Sequence, residues 1–293
     1  MCASRPLSSD RIPRACAGGA GTTAVSADLA ALRRRIAALE RRPPTLEGAT
    51  AARLALQSWR LGVDALDGAL PASGLGPDGL HEAAGASAAD GPAAAAFLAA
   101  LLAKRVRGGE GGTVLVCQSR SGAARFGRLH GPGWHDLGLE PADLLILRAR
   151  REKDVPWAME EGLRSGALAA VLAEAEGIAF AASRRLALAA MERGTPALLL
   201  RHDELRPASA ALTRWRVTAL PGSADPFDEG APGLPRWRLA LVRARGGQPA
   251  ICDVEWNRET GGFRMAAELV DRPVTPYAGA VEVPRRVRAL GSG

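Results

Sequence analysis

Residues 60–70 read RLGVDALDGAL, 74–82 read GLGPDGLHE, 85–93 read GASAADGPA and 113–117 read TVLVC. The order is a turn, a strand, a glycine-bounded loop, an alanine-rich helix and a second strand. A loop of this kind between strand and helix can ring a phosphate with backbone N–H groups. A working version is spelled G-x-x-x-x-G-K-[ST]. Here Gly85 and Gly91 stand one residue too far apart, Pro92 occupies the Lys position, and Ala93 replaces the Ser or Thr. Pro92 has no N–H to offer. Asp90 adds a carboxylate, and two like charges about 4 Å apart repel by roughly 4 kcal/mol at an effective dielectric near 20. The same letters make a good helix start, with proline in the first turn. The scaffold is kept and its phosphate chemistry is lost, so the expectation is no bound cofactor, no metal and no catalysis.

Working outward, apolar runs and helical periods alternate. Strands are expected at 79–84, 113–118, 144–149, 168–173 and 196–201. Helices are expected at 92–107, 122–130, 153–166 and 179–194. Apolar strands alternating with helices predict an α/β fold, a parallel sheet with helices on both faces. After residue 210, segments 212–219, 235–244, 249–257 and 262–268 read as antiparallel strands. Thr213, Trp215 and Val217 alternate there with Arg214 and Arg216.

The ends differ from this core. Residues 1–24 lack periodicity and read as disordered. Within 25–45, Leu29, Leu32, Ile36 and Leu39 form a narrow apolar seam between arginines, and Pro43-Pro44 stops the helix. That helix either packs on its own domain or docks on a neighbouring chain. The core is expected over 46–270. Residues 271–293 read as a mobile basic tail holding Arg285, Arg286 and Arg288, which either contact DNA or an acidic partner or are simply solvated.

The bulk numbers limit the function classes. The chain has 293 residues, 47% apolar and 24% charged, which suits a soluble globular protein. No run approaches the roughly 18 uninterrupted apolar residues of a membrane span, and no signal-peptide h-region is present, so a cytoplasmic setting is expected. Net charge is +7, and only Lys104 and Lys153 are lysines. Spread over the whole chain, that charge is weaker evidence for nucleic acid than a compact patch. Cys2, Cys16, Cys117 and Cys252 have no metal-ligand spacing. His81, His130, His135 and His202 suggest no ligand set. A local basic–aromatic group, Arg120, Arg125, Arg128, His130 and His135 with Phe126 and Trp134, either holds phosphates and stacks bases or forms a solvated face.

Taken together, the pattern resembles the RecA-like P-loop-type ATPase core, and more closely the ImuA family. The residues that carry the resemblance are LGVDALDGAL at 61–70, GLHE at 79–82, VPWAMEEGLR at 155–164, WRLALVRARGG at 237–247 and VEW at 254–256. It spans about residues 25–270. It implies a role in SOS, DNA-damage-induced translesion synthesis, alongside an ImuB-like inactive Y-family polymerase and an error-prone replicative-type polymerase, with RecA a further partner. Gln118, Ser119 and Arg120 then occupy the place of a water-activating Glu. Glu174 stands near the place of a metal-orienting Asp and is expected to be a solvated strand end. The stretches 171–195 and 202–213 leave little room for DNA-binding loops of the RecA kind. The leading expectation is a non-catalytic adaptor. An ATP-gated motor and a direct DNA-binding module are the alternatives.

Overall fold

The sequence concentrates its β-branched and leucine-rich runs in short blocks separated by alanine-rich amphipathic segments, and the chain folds accordingly. The computed structural model describes residues 59–108, 111–202, 208–223, 231 and 233–266. The expected segments 1–24, 25–45 and 271–293 therefore lie outside the described residues. So do the candidate contacts Leu29, Leu32, Ile36, Leu39, Arg285, Arg286 and Arg288.

Among the described residues there are nine strands in one sheet. They are β1 (Leu80–Gly85), β2 (Val114–Ser119), β3 (Leu144–Ala149), β4 (Ala170–Ala175), β5 (Ala197–Arg201), β6 (Thr213–Leu220), β7 (Arg236–Ala244), β8 (Ala250–Asn257) and β9 (Gly262–Met265). Their order is β3-β2-β4-β5-β1-β6-β7-β8-β9. The pairs from β3 through β6 are parallel, and β6 to β9 form an antiparallel meander. The helices are α1 (Asp64–Asp67), α2 (Gly91–Gly108), α3 (Arg120–Phe126), α4 (Gly131–Asp136), α5 (Asp154–Ser165) and α6 (Phe180–Arg193). None of them is long and apolar enough to cross a membrane.

Strands β2, β4 and β5 are buried along their whole length, as strands covered on both faces must be. Side-chain alternation sorts them onto two cores. Val116, Leu172 and Leu200 pack with Phe97 and Leu98 of α2 and with Trp134 of α4. Leu115, Val171 and Leu199 pack with Val155 and Met159 of α5 and Leu186 of α6. Cys117 belongs to the second core, and burial pushes its thiol up to about 12. The meander is held to α2 by an aromatic group. Phe97 lies 5.5 Å from Trp215 and 5.9 Å from Phe263, and Phe263 lies 4.8 Å from Trp256 between ring centroids.

The helix expected at 122–130 is α3, which starts two residues earlier and stops at Phe126; α4, from Gly131 onward, lies beyond that range and was not expected. Gly127 takes φ 96°, in the left-handed region that glycine tolerates, and ends α3; Pro132 then starts α4. Strand β9 ends at Met265, short of the expected 268.

Candidate functional site

Parallel strands deliver their following residues to one sheet edge, so the carboxyl ends of β1, β2, β4 and β5 converge beside the N-terminus of α2. The loop from Gly85 to Gly91 lies there. It is wound on itself. A Cβ at Gly85 would stand 2.6 Å from the Ser87 carbonyl oxygen, 2.7 Å from the Asp90 carbonyl carbon and 2.8 Å from the Gly91 nitrogen. All three are backbone atoms and cannot swing aside. Gly85→Ala is therefore expected to cost about 1–3 kcal/mol. A urea melt checks this, and an unchanged midpoint would mean the turn is loose.

Asp90 does more than repel. Its Oδ2 accepts from the Ser87 N–H at 3.0 Å and the Ser87 hydroxyl at 2.7 Å, and its Oδ1 accepts from the Ala219 N–H of β6 at 2.9 Å. The Ala219 bond first, then the Ser87 hydroxyl, hold its carboxyl below the ordinary value of 3.8. The loop thus carries its own anion. A triphosphate with its metal does not fit these residues: Pro92 offers no cation and no N–H, and Asp90 holds the Ser87 amide. A hollow of 240 Å³ remains beside the loop, lined by Ser87, Gly91, Phe126, Arg201, His202 and Arg216.

Behind the loop is a polar chain. Gln118 at the end of β2 donates from Nε2 to the Gly127 carbonyl at 2.9 Å and to Glu174 Oε2. His202 Nε2, just past β5, bonds Glu174 Oε1. The Phe126 ring lies flat on the His202 imidazole, with centroids 3.4 Å apart and planes 5° from parallel. Arg125 sits over Phe126 at 5.1 Å and pairs with Glu176 at 2.9 Å. Glu152 ties the neighbouring strand ends together, accepting from the Ser119 and Ser121 hydroxyls and the Glu176 N–H.

Glu174 corrects an expectation. It is not a solvated strand end but a buried member of β4, bonded on both oxygens. Its partners are 28 and 56 residues away in sequence, so no local pattern announced them. The signal available was topological: residues at the ends of alternating parallel strands meet.

The basic–aromatic group is brought together in part. Arg125, Phe126, Arg128, His130 and Trp134 line one cleft of 590 Å³ between α2 and the 126–137 segment, together with Gln118, Glu174 and His202. Arg120 is exposed at the start of α3 and does not line it. His135 turns away to Glu140, with its Nδ1 3.1 Å from the carboxylate. Trp134 is no surface stacking platform. It is 8% exposed and belongs to the first core, together with Leu137 and Leu139 that follow α4. Among the described residues no group of three or more His, Cys, Asp or Glu is placed to hold a metal ion.

No family model matches the chain. Two curated relatives do. Protein ImuA of Caulobacter vibrioides strain NA1000 / CB15N is 34% identical over 240 residues, covering 77% of this chain and 93% of that protein. Protein ImuA of strain ATCC 19089 gives the same figures. The aligned share takes in nearly all of the relatives' length at an identity well above chance, and on that ground the chain belongs to the ImuA family.

Proposed function

We propose that the chain is a RecA-like accessory protein of the ImuA–ImuB mutagenesis system, acting as a non-catalytic adaptor in translesion synthesis. Family membership supports the system. The order β3-β2-β4-β5-β1, with a glycine-bounded loop between β1 and α2, supports a RecA-like core. The observation that carries the non-catalytic part is the Asp90 carboxylate, seated on the Ser87 and Ala219 amides of a loop that lacks its Lys. A scaffold without a triphosphate grip offers surfaces instead. The partners proposed are an ImuB-like inactive Y-family polymerase, RecA and an error-prone replicative-type polymerase.

Calorimetric titration with ATP and Mg²⁺ tests this reading. The expected result is no saturable heat at micromolar protein. A Kd in the micromolar range, or steady hydrolysis, overturns it. Co-purification of the ImuB-like protein with the full chain is the expected positive result.

A second reading, direct DNA contact, rests on Arg128 and His130, which are exposed and carry no ion pair among the described residues. It requires affinity for single strands that falls steeply with salt, and salt-insensitive binding excludes it.

A further inference from the structure

Strand β1 sets a carboxylate between arginines once, and the same frame recurs two residues later without one. At Glu82 the register partner on β6 is Arg214, bonded at 3.0 Å, and Arg201 Nη1 stands 3.6 Å away. Residues two apart on a strand share a face. The next residue on this face is Ala84, whose register partners are Arg201 on β5 and Arg216 on β6. Strands β5 and β6 flank β1, so they lie about 10 Å apart, twice the spacing of neighbours in a sheet. Ala84 brings only a methyl group to that gap. The 240 Å³ hollow opens there, lined by Ala84, Arg201 and Arg216 together with the loop.

Arg216 is the cation left over. Glu82 is engaged by Arg214 and Arg201, and among the described residues no carboxylate pairs with Arg216. Of its nitrogens only Nε is enclosed; the two Nη groups are accessible and unbonded. A half-buried charge held without a counter-ion costs stability, and it defines the complement it lacks. A planar carboxylate matches the fork of a guanidinium. A phosphate dianion meets a worse balance. Arg216 offers it one uncommitted charge, and the Asp90 carboxylate already sits on Ser87, which also lines the hollow. His202, bonded to Glu174 and stacked on Phe126, closes a further side.

We infer that the hollow over Ala84 is a carboxylate-binding site, with Arg216 as its anchor and Arg201 on the opposite side. The carboxylate comes from an acidic side chain of a partner protein or from a free small acid, and the chemistry of capture is the same for both. The site stands without the adaptor reading; the partner source rests on it.

The test uses the full chain, isotope-labelled for NMR, titrated with sodium acetate against sodium chloride at equal ionic strength. Amide shifts at Ala84, Gly91 and Arg216 should saturate with acetate in the millimolar range and not with chloride. Arg216→Gln should abolish this saturation without lowering the melting temperature, since it removes an unpaired charge. Arg216→Lys keeps the charge but loses the fork, and should weaken acetate several-fold. A carboxylate supplied from within gives a second check: Ala84→Asp should melt above the isosteric Ala84→Asn. A chloride-like response, unchanged acetate affinity in Arg216→Gln, tighter binding of inorganic phosphate than of acetate, or Ala84→Asn melting above Ala84→Asp each overturn the proposal. Capture of the ImuB-like protein by wild-type and Arg216→Gln chains then identifies the source. A loss of about tenfold in the variant assigns the carboxylate to the partner, and equal capture with saturable acetate assigns it to a free acid; both uphold the site. Acetate saturation with no capture by the wild-type chain sinks only the adaptor reading, and capture without acetate saturation sinks only the site.

Discussion

Glu82→Ala is expected to lower the melting temperature by about 10 °C, from a loss of about 3–5 kcal/mol. Glu82 lies in the middle of β1 and is fully buried. Its Oε2 accepts from Arg214 Nε at 3.0 Å, its Oε1 accepts from the Ser209 hydroxyl, and Arg201 Nη1 stands 3.6 Å from Oε1. Arg201 and Arg214 are themselves 1% and 7% exposed. Deleting the carboxylate leaves two guanidinium groups out of water with their central counter-charge gone, which is the costly way to break a buried pair. The control is Asp253→Ala. Asp253 also meets an arginine by two bonds, from Arg238 at 2.7 and 2.9 Å, but that arginine is half exposed. Water and salt screen this pair, so its loss should cost no more than about 1 kcal/mol. Thermal melts of the two variants side by side decide the matter. Equal losses would show that the Glu82 cluster is wetter than its packing indicates.

The second large effect is acid sensitivity seated at His81. Its imidazole is fully buried, and this desolvation, opposed by the bond to the Gly76 carbonyl, lowers its pKa from 6.5 to about 4. The hydrogen bonds also fix the neutral ring. Trp215 Nε1–H donates to Thr213 Oγ1 at 2.9 Å, and Thr213 Oγ1 lies 2.8 Å from His81 Nδ1. His81 Nε2 must donate to the Gly76 oxygen, 2.8 Å away, because a carbonyl cannot donate. Nδ1 is then left to accept from the Thr213 hydroxyl. A second proton on Nδ1 would make the Thr213 hydroxyl turn its own proton away and give up this donation. Below pH 6.5 the unfolded chain takes up this proton, and the folded chain does not until about pH 4. Stability should therefore fall as pH drops through that window, by up to about 3 kcal/mol. Asp90 and Asp253 act elsewhere. Their carboxyls lie below 3.8, so their contribution is lost only at lower pH. Urea midpoints at pH 7 and pH 4.5 measure the effect, and His81→Gln should flatten the difference. A wild-type midpoint that is flat over this range would mean that His81 charges without penalty.

How much of this was legible in the sequence depends on the range of the interaction. The strands and most helices are set by local period, so TVLVC and ALLLR could be read directly. The stop at Gly127 could not, because the helix expected at 122–130 runs through it, and only the positive φ shows that the glycine ends α3. The departures of Pro92 and Ala93 from the phosphate-binding pattern were plain as letters. The role of Asp90 was not, since one of its partners, the Ala219 amide, lies 129 residues along the chain. Trp134 looked like a surface aromatic because its neighbours are glycine, proline, histidine and aspartate. Its burial comes from the first core, built from residues distant in sequence. The flanking of Ala84 by Arg201 and Arg216 is invisible without coordinates.

The self-occupied loop also bears on how such a protein changes over time. On the reading proposed here, restoring a lysine at Pro92 would supply an ammonium with a ready carboxylate next door, and the two would neutralise each other. Removing Asp90 first would unseat the Ser87 and Ala219 amides before anything arrived to use them. Neither single step is rewarded, and Phe126 and His202 would still border the hollow. A loop closed on its own side chain thus leaves single substitutions no short route to a phosphate grip.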